Sequence, residues 1–255
     1  MITQHRDGDV AVIEIDRHER RNALDTAHCH DLRAALTGQV SNGHAPTGQA
    51  PSGHAPTGLR AARAIVVTGA GSSFCAGADL RAAYDAAFRD ALYAMLAAVT
   101  EVTVPVIAAV NGPAIGAGAQ LALACDLRVA AAEATFAIPV ARLGIAVNPW
   151  TIRRLALLAG TGTAQAMLIG AETLDATAAL RCGLASRMGD RGAALAWARE
   201  LAGLAPLSLA YAKKAINQPD SAELGKDFDA CWASDDAAEG QRARAAKRPP
   251  RFRGR

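Results

Sequence analysis

Two glycine-rich turns place the tightest limits on what this chain can fold into. Gly69-Ala-Gly-Ser-Ser-Phe-Cys-Ala-Gly-Ala-Asp-Leu80 follows an apolar run at Ala64 to Thr68, and Asn111-Gly-Pro-Ala-Ile-Gly-Ala-Gly-Ala-Gln120 follows another at Val104 to Val110. Short apolar runs bounded by glycine read as buried strands. Each turn then opens into a helical stretch, from about Asp79 to Val99 in the first case and through Cys125 in the second. Asp9 to Ile15 adds an earlier strand, Asn22 offers an N-cap for a helix through Leu36, and Leu127 to Ala130 adds a later strand. Strands alternating with longer helices predict an α/β fold, with a largely parallel sheet flanked by helices. From Thr151 onward the pattern is almost wholly helical, broken at Gly160, Gly183, Gly203, Pro206 and Pro219. An α/β core over residues 1–195 is expected, followed by a helical region and tail over 196–255.

Between the first helix and the second strand lies a five-residue repeat, Gly-His-Ala-Pro-Thr, Gly-Gln-Ala-Pro-Ser, Gly-His-Ala-Pro-Thr, running from Gly43 to Gly58. Glycine and proline every fifth residue allow neither helix nor ladder pairing, so residues 41–58 read as a low-complexity insertion without chemistry. Elsewhere, 51% hydrophobic and 20% charged residues suit a soluble globular protein with a real core, and no apolar stretch is long enough for a membrane span. The polar start, Met1 to Asp9, lacks a signal-peptide core, which predicts a cytoplasmic protein.

The net charge of +3 belongs to the tail. Residues 242–255 hold Arg242, Arg244, Lys247, Arg248, Arg251, Arg253 and Arg255 and no acids, and the remainder carries 20 basic against 24 acidic residues, a net of −4. Such a tail is a solvated terminus or a contact for nucleotide phosphates. Nucleic acid is the poorer partner, because only Phe252 interleaves the charges. Cysteines at 29, 75, 125, 182 and 231 are odd in number and unpaired in sequence, against both a disulfide framework and a zinc site. His28, Cys29 and His30 point to different sides of a helix and lack a second ligand pair. No metal is expected.

The turns themselves suggest chemistry. Helix N-termini leave backbone N–H groups unpaired and carry partial positive charge. Two such ends meeting at one point would form an oxyanion hole, suited to a thioester carbonyl becoming an enolate. A dinucleotide site fits less well: Gly69-x-Gly71 lacks its third glycine, with Phe74 in that place, and no acid follows a second strand. Ser72 and Ser73 form no nucleophile elbow.

Arg21-Asn-Ala-Leu24, Phe74-Cys-Ala-Gly-Ala-Asp-Leu80, Asn111-Gly-x-Ala-x-Gly-x-Gly118 with Cys125-Asp126-Leu127, and the tail residues Asp235, Glu239-Gly240, Lys247-Arg248-Pro249 and Phe252 together resemble the enoyl-CoA hydratase/isomerase (crotonase) superfamily. The resemblance covers the chain apart from the repeat. It implies a crotonase-like spiral of ββα units with a C-terminal helical trimerisation region, trimers that pair into hexamers, and coenzyme A bound as part of the ligand, with no tightly bound cofactor. The implied oxyanion-hole donors are the N–H groups of Ala78 and Ala117. Implied coenzyme A contacts are Arg20, Arg21, Ala23, Ala76, Asp79, Leu80 and Lys247, the last in some members reaching from a neighbouring subunit.

The chain departs from that pattern where the family's acids belong. Gln120 stands two residues after the second turn's last glycine, Val140 follows the proline of Phe136-Ala-Ile-Pro139, and Asn148 holds the position used by isomerase-like members. None can ionise; Glu133 and Asp126 are the nearest substitutes. The pattern resembles degenerate hydratase homologues of long-chain lipid synthesis, in which Ile138, Val140, Val147 and Trp150 would line an acyl channel. Arg153 and Arg154 are expected as surface ion-pair partners. Two functions stay open: an acyl-CoA binder that serves a lipid-synthesis enzyme, or an enzyme, either a hydratase/isomerase or a decarboxylating lyase that needs only the oxyanion hole.

Overall fold

The computed structural model describes residues 1–39, 61–79 and 84–255. The repeat from Gly43 to Gly58, and Leu80, lie outside the described residues.

Strand β1 (Ile2–Asp7) turns at Gly8 and pairs antiparallel with β2 (Val10–Ile15). The polar start is thus an edge strand rather than a loop, its exposed polar positions facing water on the sheet's rim. Helix α1 (Thr26–Gly38) begins three residues later than its expected cap allows: Asp25, not Asn22, accepts the N–H of His28 at 3.0 Å. Strand β3 (Ala64–Gly69) follows, then α2 (Ala86–Glu101), capped by Asp85. The expected helix start at Asp79 was too early, because residues 75–79 are spent on bridges to other segments. Cys75 pairs with Ala114, and Ala78 with Leu24.

Next come β4 (Val106–Val110), β5 (Pro113–Ile115) and α3 (Ala117–Ala124), then β6 (Leu127–Ala130), β7 (Thr135–Ala137) and α4 (Pro149–Ala159). Each set repeats one pattern: a strand in a larger sheet, a short strand in a smaller one, and a helix. The remaining elements are α5 (Thr161–Leu168), β8 (Thr173–Asp175), α6 (Ala176–Arg181), β9 (Arg187–Met188), α7 (Arg191–Ala202), α8 (Pro206–Asn217), α9 (Leu224–Trp232) and α10 (Asp235–Ala245). The larger sheet runs β1-β2-β3-β4-β6-β9, parallel except at β1, and the smaller runs β5-β7-β8. This is the ββα spiral that the family resemblance implied.

Alternation along the strands divides the core. Ala11, Ile13, Ile15, Ile65 and Val67 face the main cluster, which α1, α2 and α3 cover. Val10, Val12, Ala64 and Val66 face the other side, covered by Ala194, Ala198 and Ala202 of α7. By packing, α7 goes with the sheet, while α8 to α10 form the helical region. Among the described residues no helix is long and apolar enough to cross a membrane.

Candidate functional site

Two buried or partly buried asparagines bind the first turn into place. Asn22, in the left-handed region at φ 59°, accepts Arg17 N–H at 2.9 Å and donates to the carbonyls of Ala70 and Ser73 at 2.8 and 2.7 Å. Asn111, at the end of β4, donates to the carbonyls of Gly69 and Gly71, both at 2.9 Å. The second turn then packs directly onto the first. A Cβ on Gly118 would lie 2.0 Å from the carbonyl oxygen of Cys75, so only glycine permits this approach. Gly77, at φ +109°, is close enough that an added Cβ would stand 3.9 Å from the nitrogen of Ala117. Residues 77–78 and 117 are brought together by these contacts.

Leu24 donates its N–H to Gly77 at 2.8 Å and accepts that of Asp79 at 2.7 Å. In a parallel bridge of this kind the intervening residue, Ala78, turns its own N–H to the opposite side. Ala117 opens α3, where the first N–H groups have no partner within the helix. Among the described residues neither N–H has a hydrogen-bond partner. Two free donors at one place, one of them on a helix N-terminus, suit a developing negative oxygen.

Beyond these donors lies a polar network. Gln120 is buried, and the Thr151 hydroxyl oxygen is 2.9 Å from its side-chain amide and 2.9 Å from Asn148 Oδ1. Asn148 caps α4 by accepting the N–H of Thr151, and its own N–H donates to the Tyr93 hydroxyl at 3.0 Å. Gln120 and Asn148 are therefore joined through Thr151, a residue the sequence did not single out. Val140 begins a short 3-10 turn and is half-buried against the main core, as is Trp150; Ile138 and Val147 are buried within it. Ile138 also packs with Ala119, Leu123, Phe136, Leu155 and Met167 around a gap too small to admit a water molecule.

The expected nucleotide contacts divide into two places. Ala76 donates to the Arg21 carbonyl at 3.0 Å, which joins the exposed pair Arg20 and Arg21 to the first turn. Arg17, also unforeseen, donates to the Ala23 carbonyl at 3.0 Å and to Asp79 Oδ2 at 2.9 Å. Lys247 stands apart. Its tail is anchored where Arg63 donates to the carbonyls of Phe252 and Leu204, at the start of β3, whereas the turn lies at the end of that strand.

At its other end α3 meets two arginines. Arg128 is buried and donates to the carbonyls of Ala122, Cys125 and Leu184; burial lowers its pKa to about 10. Arg154, expected at the surface, is buried and donates to Leu123 at 3.1 Å, because α4 packs that side against α3. Asp126 is held there by Lys213 at 2.8 Å, and Glu133 is exposed. Burial pushes the thiols of Cys29, Cys75 and Cys125 up to about 12, too high for nucleophilic use at neutral pH.

The chain is thus an α/β protein of ββα repeats whose two glycine turns pack against each other beside the N–H groups of Ala78 and Ala117. A sequence profile of the enoyl-CoA hydratase/isomerase family matches residues 58–255, and the chain belongs to that family. It is similar to "Probable enoyl-CoA hydratase echA6" of Mycobacterium leprae, 45% identical over 251 residues covering 96% of both chains, and to the protein of the same name from Mycobacterium tuberculosis, 43% identical with the same coverage. Among solved structures, an enoyl-CoA hydratase from Bacillus anthracis superposes with a TM-score of 0.85 at 27% identity, covering 100% of this chain and 99% of that one.

Proposed function

We propose that this protein binds fatty-acyl coenzyme A thioesters in fatty-acid or long-chain lipid metabolism and does not hydrate enoyl thioesters. The thioester oxygen sits on the N–H groups of Ala78 and Ala117, and the carrying observation is that the two glycine turns pack these residues together, at Gly77 and Ala117. Hydration needs a water deprotonated and a proton delivered to the α-carbon. Gln120, Val140 and Asn148 can do neither, since an amide does not accept a proton near neutral pH. Losing general acid–base help costs roughly 10²–10⁴ per group. Neither nearby carboxylate is placed to replace them, because Asp126 is ion-paired at the opposite end of α3 and Glu133 faces water.

In this reading Arg20, Arg21, Ala23, Ala76 and Asp79 lie along the nucleotide, while Lys247 reaches a phosphate from a neighbouring copy, which accords with the tail's anchorage at the far end of β3. Ile138, Val147 and Trp150 border the acyl chain. The exposed apolar face of α8 and α9, with Ile216 at 69% and Trp232 at 73% exposure, is covered by other copies in a trimer or hexamer. A lipid-synthesis enzyme would receive the bound acyl group.

The relatives' name supports a second reading, an active hydratase or a lyase that relies on the oxyanion hole. A hydration assay with crotonyl-CoA beside a calorimetric titration with long-chain acyl-CoA separates them. The expected result is no detectable hydration and micromolar or tighter binding. Robust turnover lost in Gln120→Ala would overturn the binder.

A further inference from the structure

The Thr151 hydroxyl stands between two amides and has one hydrogen to give. Its oxygen is 2.9 Å from the side-chain amide of Gln120 and 2.9 Å from Asn148 Oδ1. Asn148 Oδ1 also accepts the backbone N–H of Thr151 at 2.9 Å as the N-cap of α4, which fixes that end of the Asn148 amide as oxygen. Two oxygens this close repel unless a hydrogen lies between them, and the hydroxyl supplies the only one available. The hydroxyl is thereby committed to Asn148. The end of Gln120 that meets Thr151 must then be the –NH2, which the near-identical shape of the two amide ends allows without moving an atom. With the Gln120 oxygen there instead, either the Thr151–Asn148 contact lacks a hydrogen or the α4 cap lacks an acceptor.

The far end of the Gln120 amide is consequently its oxygen. Among the described residues the only fully buried side-chain nitrogen or oxygen without a partner is Arg63 Nε, and Gln120 makes no second hydrogen bond. Its far end must therefore open onto space that solvent reaches. Gln120 follows Ala117 by three residues on α3, one turn or about 5 Å along the same side of the helix. In a thioester whose carbonyl oxygen rests at Ala117 the β-carbon is three bonds from that oxygen, so an acyl chain running along this side of α3 brings it towards Gln120.

We propose that Thr151 orients Gln120 so that the amide oxygen faces the β-carbon of the acyl group, and that the site thereby prefers a 3-hydroxyacyl thioester over its 3-oxoacyl counterpart. A hydroxyl donates to that oxygen, whereas a ketone can only accept and meets it oxygen to oxygen. Thr151 is a positioning residue, acting through Gln120, and the inference rests on the thioester-binding reading above.

Calorimetric titration with 3-hydroxyacyl-, 3-oxoacyl- and saturated acyl-CoA of one chain length tests it, on the wild type, Thr151→Ser and Thr151→Val. The 3-hydroxy ligand should bind about tenfold tighter than the 3-oxo ligand to the wild type and to Thr151→Ser, one hydrogen bond's worth of discrimination. In Thr151→Val, where the amide can turn either way, the ratio should approach one. Asn148→Ala, which releases the hydroxyl, should lower the ratio likewise and serves if Thr151→Val does not fold. Equal or reversed affinities in the wild type would overturn the proposal and leave thioester binding standing. A ratio that survives in both Thr151→Val and Asn148→Ala would overturn the role of Thr151. Failure of all three ligands to bind would remove the underlying reading as well.

Discussion

At the scale of single residues, the site depends on side chains that never touch a ligand. Asn22 holds three backbone groups at once, from a left-handed conformation that asparagine tolerates better than most residues. Asn22→Ala leaves Arg17 N–H and the Ala70 carbonyl unpaired and the Ser73 carbonyl with only its longer bond from Asn111, and should cost about 2–4 kcal/mol, read by urea denaturation; a loss below about 1 kcal/mol would contradict its role. The thiols of Cys29, Cys75 and Cys125 should resist alkylation at pH 8 in the native protein and react only on unfolding. Much of this scale was hidden in the sequence. Asn22 looked like a helix cap because it precedes an amphipathic stretch, yet Asp25 three residues later serves that end, and nothing local distinguishes the two. Thr151 and Arg17 were equally silent, since the partners that tie them to the site, Gln120 and Asp79, lie 31 and 62 residues away.

At the scale of elements, α3 is fixed at both ends. Its N-terminus opens beside the first glycine turn, and its C-terminal carbonyls are held by Arg128 and Arg154. Arg128→Met should destabilise the fold by about 3 kcal/mol or more, because three buried carbonyls lose a charged donor together. A stability unchanged within about 1 kcal/mol in chemical denaturation would refute that assignment. Periodicity and glycine punctuation made the strands β2, β3, β4 and β6 and the two turns legible. They missed β1, β5, β7, β8 and β9; the last two are three and two residues long and gain their pairing only from strands already in place. The depth of Arg154 was also unreadable, because α4 turns that position towards α3 through packing that periodicity near its N-terminus does not reveal.

For the whole molecule, the C-terminal region combines a folded-back basic tail with an exposed apolar face. The basic tail is folded back onto α10, where Glu239 accepts both Arg248 nitrogens and the N–H of Arg251. These donors, Arg248 first, hold the Glu239 carboxyl down at about 2. A carboxyl whose folded pKa is depressed stabilises above its unfolded value near 4.5 and loses that contribution as the pH falls through about 2. Protection of the Arg251 amide, corrected for the intrinsic pH dependence of exchange, should therefore fall between pH 4.5 and 2, and Glu239→Gln should show the lower protection already at pH 7; a tail as protected as the wild type's would count against the contact. The apolar face of α8 and α9 should bring copies together, so sedimentation is expected to give a trimer or hexamer, and Phe228→Asp with Trp232→Asp a monomer. A monomeric wild type would remove that role and the route by which Lys247 reaches a neighbouring site.

All three scales bear on the one arrangement proposed above, a thioester oxygen held by two backbone amides with no acid beside it. A crystal structure of the complex with a long-chain acyl-CoA measures this directly. The thioester C=O is expected within about 2.7–3.1 Å of both the Ala78 and Ala117 nitrogens, with Gln120 as the polar group beside the β-carbon. A carbonyl oxygen remote from both nitrogens, or a carboxylate in contact with the β-carbon, would contradict it.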